Sequence, residues 1–320
     1  YDNAKDFFDT GITWSNSLNV AQMLEKSSYS ISLGNTHQDG IISSTGMDRY
    51  NVKVSADTKL TSNWSSGFTA NYITTSIDKA VTSGNGLLRT VYAAPPSYDL
   101  AGIPSHVDGN PYTQNSFRGS FDNAYWAMEN NKFTEDTNRF FGNVYTSYQT
   151  DFGTTNHKLN AKYMVGVDAY TTHYVDSYGY GSNTGGGRGQ IENYGWTNAT
   201  YNSLLTINYD WHINEDWGLN AVVGNEIIQS NRKKYYEYGT NYNFPGWNHI
   251  NNASIYQSSK SYNKKRTVGN FANLSLAWKN MVYLNGTIRN DVVSNMPRDN
   301  RSFTYPSVSL GFVFTELEPL

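Results

Sequence analysis

The connections between strand-like segments alternate between short and long along this chain, and few folds allow that. Apolar/polar alternation marks about eleven segments. Tight turns join them near Asn63-Trp64, Gly153-Thr154-Thr155-Asn156, Asn214-Glu215-Asp216 and Asn280. The junctions between those turns are longer, near residues 81–133, 182–198 and 240–260. Hairpins of a soluble sandwich have no reason to sort by parity. A membrane barrel does, because one rim carries short turns and the other carries long loops. The connections predict an all-β fold, a transmembrane antiparallel up-and-down β-barrel or a piece of one.

The segments themselves pass the same test. After His157, one face carries Leu159, Ala161, Tyr163, Val165, Val167 and Ala169, and the other carries Asn160, Lys162, Met164, Gly166, Asp168 and Tyr170. That run matches the ~9–11 residues a tilted strand needs to cross a bilayer, against ~5–6 for an ordinary strand. Ser203–Ile213, Ala272–Trp278, Val282–Asp291 and Ser307–Thr315 repeat the alternation. Lys162, Asp168, Asp210, Glu226, Arg289 and Asp291 all fall on polar faces, where pairing or solvation accounts for them. Bulk hydropathy misses such strands, so 38% hydrophobic residues do not argue against a barrel. The 15% aromatic content suits girdles, with Trp64, Trp217 and Trp278 beside short turns, although secreted sugar-binding β-proteins share this composition.

Several chemistries are excluded or disfavoured. A net charge of −3 gives no footprint for nucleic acid. The absence of cysteine removes disulfide frameworks and thiol chemistry. The six histidines show no metal-binding spacing, and Asp108-Gly109-Asn110 lacks the later bidentate Glu of a calcium loop. Gly185-Gly186-Gly187-Arg188-Gly189 lacks the Lys-Ser/Thr of a phosphate loop, and Glu215-Asp216 is turn chemistry. No metal, cofactor or catalytic constellation is expected.

Three stretches resemble a known family. The opening YDNAKDFFDTGITWSNSLNV, the segment YSISLGNTHQDGIISSTGMDRYNVKVSADTKLTSNW and the late IRNDVVSNMPRDNRSFTYPSVSLGFVFTEL are similar to SusC/RagA TonB-dependent outer-membrane transporters. Gly40 falls in a tight connection, Arg49-Tyr50-Asn51 opens a strand, and the last stretch is the most specific. The resemblance runs in order from end to end. It implies a barrel of 22 strands, of which this chain supplies about eleven and neither plug nor TonB box. It also implies import of glycan or peptide fragments across the outer membrane of a Gram-negative bacterium, under a SusD-like surface lipoprotein. TonB would act through the plug region that this chain lacks, and the remainder of the barrel would close the wall. The chain closes on Glu318-Pro319-Leu320 rather than an aromatic strand end, which fits an N-terminal half. The other reading is a secreted aromatic-rich carbohydrate-binding β-protein without transport activity.

Two groups of side chains stand out as candidate sites. Tyr125, Trp126, Trp196, Tyr242 and Trp247 lie in the long connections, where exposed rings would meet substrate or a lid. Arg232-Lys233-Lys234 and Lys264-Lys265-Arg266 flank one loop on consecutive strands, above the hydrocarbon band. Those six cations are placed to clamp outer-leaflet lipid phosphates.

Overall fold

A computed structural model describes residues 1–81 and 86–316. Residues 82–85 of the first long connection and the terminal 317–320 lie outside the described residues. In chain order the elements are α1 (Asn3–Phe7), β1 (Thr13–Met23), β2 (Ser27–Asp39), β3 (Gly46–Lys59), β4 (Trp64–Lys79), α2 (Leu87–Ala93), β5 (His106–Val107), β6 (Asn110–Gln114), α3 (Ala124–Asn130), β7 (Lys132–Thr150), β8 (His157–Tyr178), β9 (Gln190–His212), β10 (Trp217–Tyr242), β11 (Ala253–Trp278), β12 (Val282–Val293) and β13 (Ser302–Phe312). All but β5 and β6 form one antiparallel sheet in sequence order. Among the described residues no helix is long and apolar enough to cross a membrane, which says nothing of strands.

The parity of connections is physical. Residues 24–26, 60–63, 151–156, 213–216 and 279–281 make one rim of short turns, and residues 40–45, 80–131, 179–189, 243–252 and 294–301 make the other. Local polar chemistry closes the short rim. The Asn214 carboxamide oxygen accepts the Asp216 and Trp217 amides at 2.9 Å each, an Asx turn. Lys279 and Asn280 both take positive φ, which Asn tolerates well. Two long connections are shorter than their hydropathy implies, because β9 already begins at Gln190, β10 runs to Tyr242 and β11 starts at Ala253.

Register divides the sheet into two faces. Leu33 pairs with Val52, Ala70 with Gly142, Val144 with Val165, Leu205 with Tyr163, Val223 with Ala272 and Leu284 with Leu310. These residues form an apolar face, much of it exposed. On β2–β3 the apolar band lies near the rung of Leu33, and on β11–β12 near that of Leu276 and Leu284. The band thus crosses rungs as the strands tilt, as barrel closure demands. Its short-turn border is aromatic: Trp64 packs on Tyr148 at 5.0 Å, and Trp217 on Trp278 at 6.3 Å. One polar rung interrupts the band, and it satisfies itself. Asn225 donates to Asn270 at 2.8 Å, and Asn290 donates to Thr304 at 2.9 Å.

The opposite face is polar and internally paired. Arg139 forks onto Asp168 at 2.9 and 2.6 Å. Arg289 bridges Glu226 at 2.7 Å and Asp291 at 3.0 Å. Asp210 accepts Asn208 and Asn220, and Lys162 lies over the Tyr145 ring.

Both outer strands, β1 and β13, run from the long-connection rim to the short-turn rim, since the count between them is odd. Joined to each other they would pair in parallel. The sheet is open.

Candidate functional site

The long connections fold back on one another above the sheet. Phe7 of α1, Leu87 and Val91 of α2, Leu100, and Ala124, Trp126 and Ala127 of α3 build a buried core. Asn123 caps α3 by accepting the Tyr125 and Trp126 amides. Asn3 anchors α1, donating to the Tyr98 carbonyl and accepting the Leu100 amide, both at 2.9 Å. A second small core joins Ile191, Tyr242 and Ala253.

Asp122 ties two connections together. Its carboxylate accepts Gln114 Nε2 at 2.7 Å, Ser182 Oγ at 2.6 Å, and the Asn183 amide and side chain at 2.8 Å each. The third connection joins where Asn248 donates to the Asn130 carbonyl at 2.8 Å. Hydrogen bonds to a charged group contribute about 1.5–3 kcal/mol each. Asp122→Ala is expected to free residues 182–189, seen as new proteolytic cleavage in the Gly185–Gly189 tip with the sheet intact. No new cleavage would mean that the 179–189 connection is held by other contacts.

These cores decide the fate of the loop aromatics. Trp126 and Tyr242 are 0% exposed and are packed inside the two cores. Trp126 donates Nε1–H to the Pro111 carbonyl at 2.8 Å. Burial pushes the Tyr242 phenol up to about 12. Tyr125 packs edge-on against Phe7 at 5.3 Å and donates its hydroxyl to the Asp6 carbonyl, a cap contact rather than a free surface. A connection of this length excludes water from its own aromatics, which residue type alone does not reveal. Trp247 is different. It is 43% exposed and stacks on His249 at 5.1 Å and on Phe244 at 5.8 Å.

Trp196 is not in a loop but on β9, on the polar face close under the cap. There it meets residues that loop-based reasoning missed. Tyr174 and Tyr194 are register partners on β8 and β9 and stack at 4.8 Å with a 7° interplanar angle. Trp196 leans on Tyr174 at 5.4 Å. Lys79 and Arg232 cover the outer rings, over Tyr174 at 4.5 Å and over Trp196 at 5.1 Å. Tyr194 donates to Asp176 at 3.0 Å. Burial, then that bond, raises its phenol well above the usual tyrosine range, so it remains a neutral donor at pH 7. The result is a rigid wall of rings edged by Lys79, Arg232, Asp176 and Glu192. Flat rings with charged borders suit sugar faces and peptide side chains alike. Among the described residues no group of His, Cys, Asp or Glu is arranged to hold a metal.

The six cations do not form one cluster. Side chains alternate along a strand, so Arg232, Lys234 and Lys265 fall on the polar face and Lys233, Lys264 and Arg266 on the apolar face. Lys260 joins the second set and was overlooked.

No protein-family model matches the chain, and no curated protein does. Solved structures do. The RagAB peptide importer in its 'closed-closed' state superposes with a TM-score of 0.78 at 16% identity, covering 99% of this chain and 36% of that one. A second RagAB peptide transporter structure gives 0.76 at 15% identity, covering 97% and 35%. The fold is SusC/RagA-like. A more distant match is the ferric preacinetobactin receptor BauA of Acinetobacter baumannii, with TM-score 0.53 and 13% identity over 95% of this chain and 44% of that one. The SusC/RagA-like sheet thus spans little more than a third of the RagAB chains it matches.

Proposed function

We propose that the chain forms half the wall of a 22-stranded TonB-dependent transporter in the outer membrane of a Gram-negative bacterium, importing a bulky nutrient such as glycan or peptide fragments. The observation that carries this reading is the open, two-faced sheet of eleven antiparallel strands. Its apolar face meets lipid, and its paired polar face lines the interior. An unsatisfied backbone group costs several kcal/mol in hydrocarbon, so both free edges require strands. Because β1 and β13 run the same way, antiparallel closure takes an odd number of further strands, and eleven more give 22.

The RagAB likeness supports a SusD-like surface lipoprotein over the long-connection rim, with the exposed Phe244, Trp247 and His249 rings as its contact. The Tyr174, Tyr194 and Trp196 wall takes the cargo. TonB acts through a plug region elsewhere in the complete protein. No catalytic step belongs to this reading.

The direct test is the native polypeptide in outer-membrane fractions. This chain is 36.0 kDa and covers 36% of a RagAB chain, which puts the complete protein at about 100 kDa. A band there with a copurifying lipoprotein supports the proposal. A 36 kDa species soluble without detergent overturns it in favour of a secreted binding module. For the wall, Tyr194→Ala with Trp196→Ala is expected to weaken cargo binding at least about tenfold, since aromatic anchors dominate such contacts. Unchanged affinity, measured on oligopeptides and oligosaccharides, would remove the wall from the site.

A further inference from the structure

Lys and Arg are distributed unevenly between the two faces. On the strands, Arg49, Lys53, Lys59, Lys79, Arg139, Lys158, Lys162, Arg232, Lys234, Lys265 and Arg289 all take polar-face positions. The outward set is Lys132, on the last rung under the cap, and four residues side by side on β10 and β11: Lys233, Lys260, Lys264 and Arg266. The upper outward surface of β3, β4 and β7 instead carries Asp48, Asp78 and Asp136.

The four cations are close, and Glu237 is diagonal to Lys260 as Lys233 is, which leaves a net positive patch. Lys233 pairs with Tyr262, so Lys260 and Lys264 are its two diagonal neighbours, at a cross-strand spacing of about 7–8 Å. Arg266 follows one outward position below Lys264 and donates to Gln229. All four are exposed, and among the described residues none forms an ion pair. Among the described residues, Glu237 is the one carboxylate lining the adjoining groove with Lys233, Tyr235, Lys260 and Tyr262. His173 faces the same surface and is hydrogen-bonded to Tyr235 at 2.8 Å. Four like charges on neighbouring rungs repel one another, and an external anion relieves that.

Height identifies the anion. Val268 is the last apolar residue on β11 before Arg266. At the rise and tilt of barrel strands, about 2.5 Å of height per residue, Arg266 and Lys264 lie about 5 and 10 Å above it, and Lys233 and Lys260 about 15–20 Å. A phospholipid headgroup layer is only about 5–7 Å deep. The ladder of charge is taller than that layer, so it fits a lipid whose phosphates continue up into a sugar headgroup.

We propose that Arg266, Lys264, Lys233 and Lys260 form an outward-facing site for a phosphorylated glycolipid of the outer leaflet. The lower pair holds phosphates at the hydrocarbon border, and the upper pair holds phosphates on the saccharide. The proposal rests on the membrane-barrel reading above.

The test uses the complete protein, purified in detergent and titrated with three probes: lipid A, rough lipopolysaccharide with a phosphorylated core, and dephosphorylated lipid A. Lys264→Gln with Arg266→Gln is expected to lower retention of the first two at least about tenfold. Lys233→Gln with Lys260→Gln lowers only rough lipopolysaccharide to that degree. The polar-face triple Arg232→Gln, Lys234→Gln and Lys265→Gln leaves all three unchanged. Equal retention by the outward variants, or loss in the polar-face triple, overturns the site. So does wild-type protein that binds dephosphorylated lipid A as well as lipid A, a result independent of any variant. Displacement of lipid A by equimolar inorganic phosphate would make this a free-anion site and overturn the lipid assignment. Heat-modifiable gel migration separates the two readings and confirms that each variant is folded. Wild-type protein that migrates as a folded barrel but retains no lipid A sinks only this site, whereas wild-type protein that never enters membranes sinks both.

Discussion

Trp126→Ala is expected to destabilise the loop cap by about 3–5 kcal/mol, the usual range for truncating a buried aromatic. Trp126 is completely buried among Phe7, Leu87, Val91 and Leu100. Its removal leaves a cavity and also strips the Pro111 carbonyl of its donor. Hydrogen exchange over residues 87–130 should therefore lose about two to three and a half orders of magnitude of protection, since 1.4 kcal/mol is about tenfold. The sheet should keep its protection, because its hydrogen bonds do not run through the cap. Trp126→Phe retains most of the packing and loses the indole donor, so about 1–2 kcal/mol is expected. Weaker cargo binding with full cap protection would make Trp126 a ligand residue after all.

That contrast explains where sequence reasoning succeeds and where it stops. Period-two alternation is strong wherever one face meets an apolar medium and the other meets water, as from Leu159 to Ala169. Above the band both faces are wet. Residues 190–198 pair on without a break, Tyr194 with Tyr174 and Trp196 with Thr172, yet they show no hydropathy contrast. They read as loop, which hid the ring wall from loop-based inspection. The cap failed differently. Tyr125 and Trp126 look like exposed loop aromatics unless Asn123 is recognised as a helix cap, with Ala124, Ala127 and Met128 at helical spacing behind it. The split of the six cations was legible, because counting by twos from Ile227 and Val268 sends neighbours to opposite faces. Asp122 was not legible. Its partners Gln114, Ser182 and Asn183 come from segments that only the fold brings together.

The membrane reading makes the other large prediction, and its strength is that adjacent residues must behave oppositely. Val165 lies in the apolar band opposite Val144, and Met164 points to the polar face opposite Tyr145. Val165→Arg places a cation in hydrocarbon, where a midplane Arg costs about 2–4 kcal/mol. Met164→Arg places the same charge in a hydrated interior already furnished with Asp168 and Asp57, at little cost. Folding of the complete barrel into phosphatidylcholine vesicles, followed by urea titration, should show the first penalty and almost none for the second. In a soluble two-faced sheet the ordering would weaken or invert, because an Arg on a water-exposed face is cheap and the paired polar face would then be the core. Equal effects at both positions would therefore remove the bilayer from the account of this fold. The large asymmetry would tie the alternation in the sequence directly to the medium that selects it.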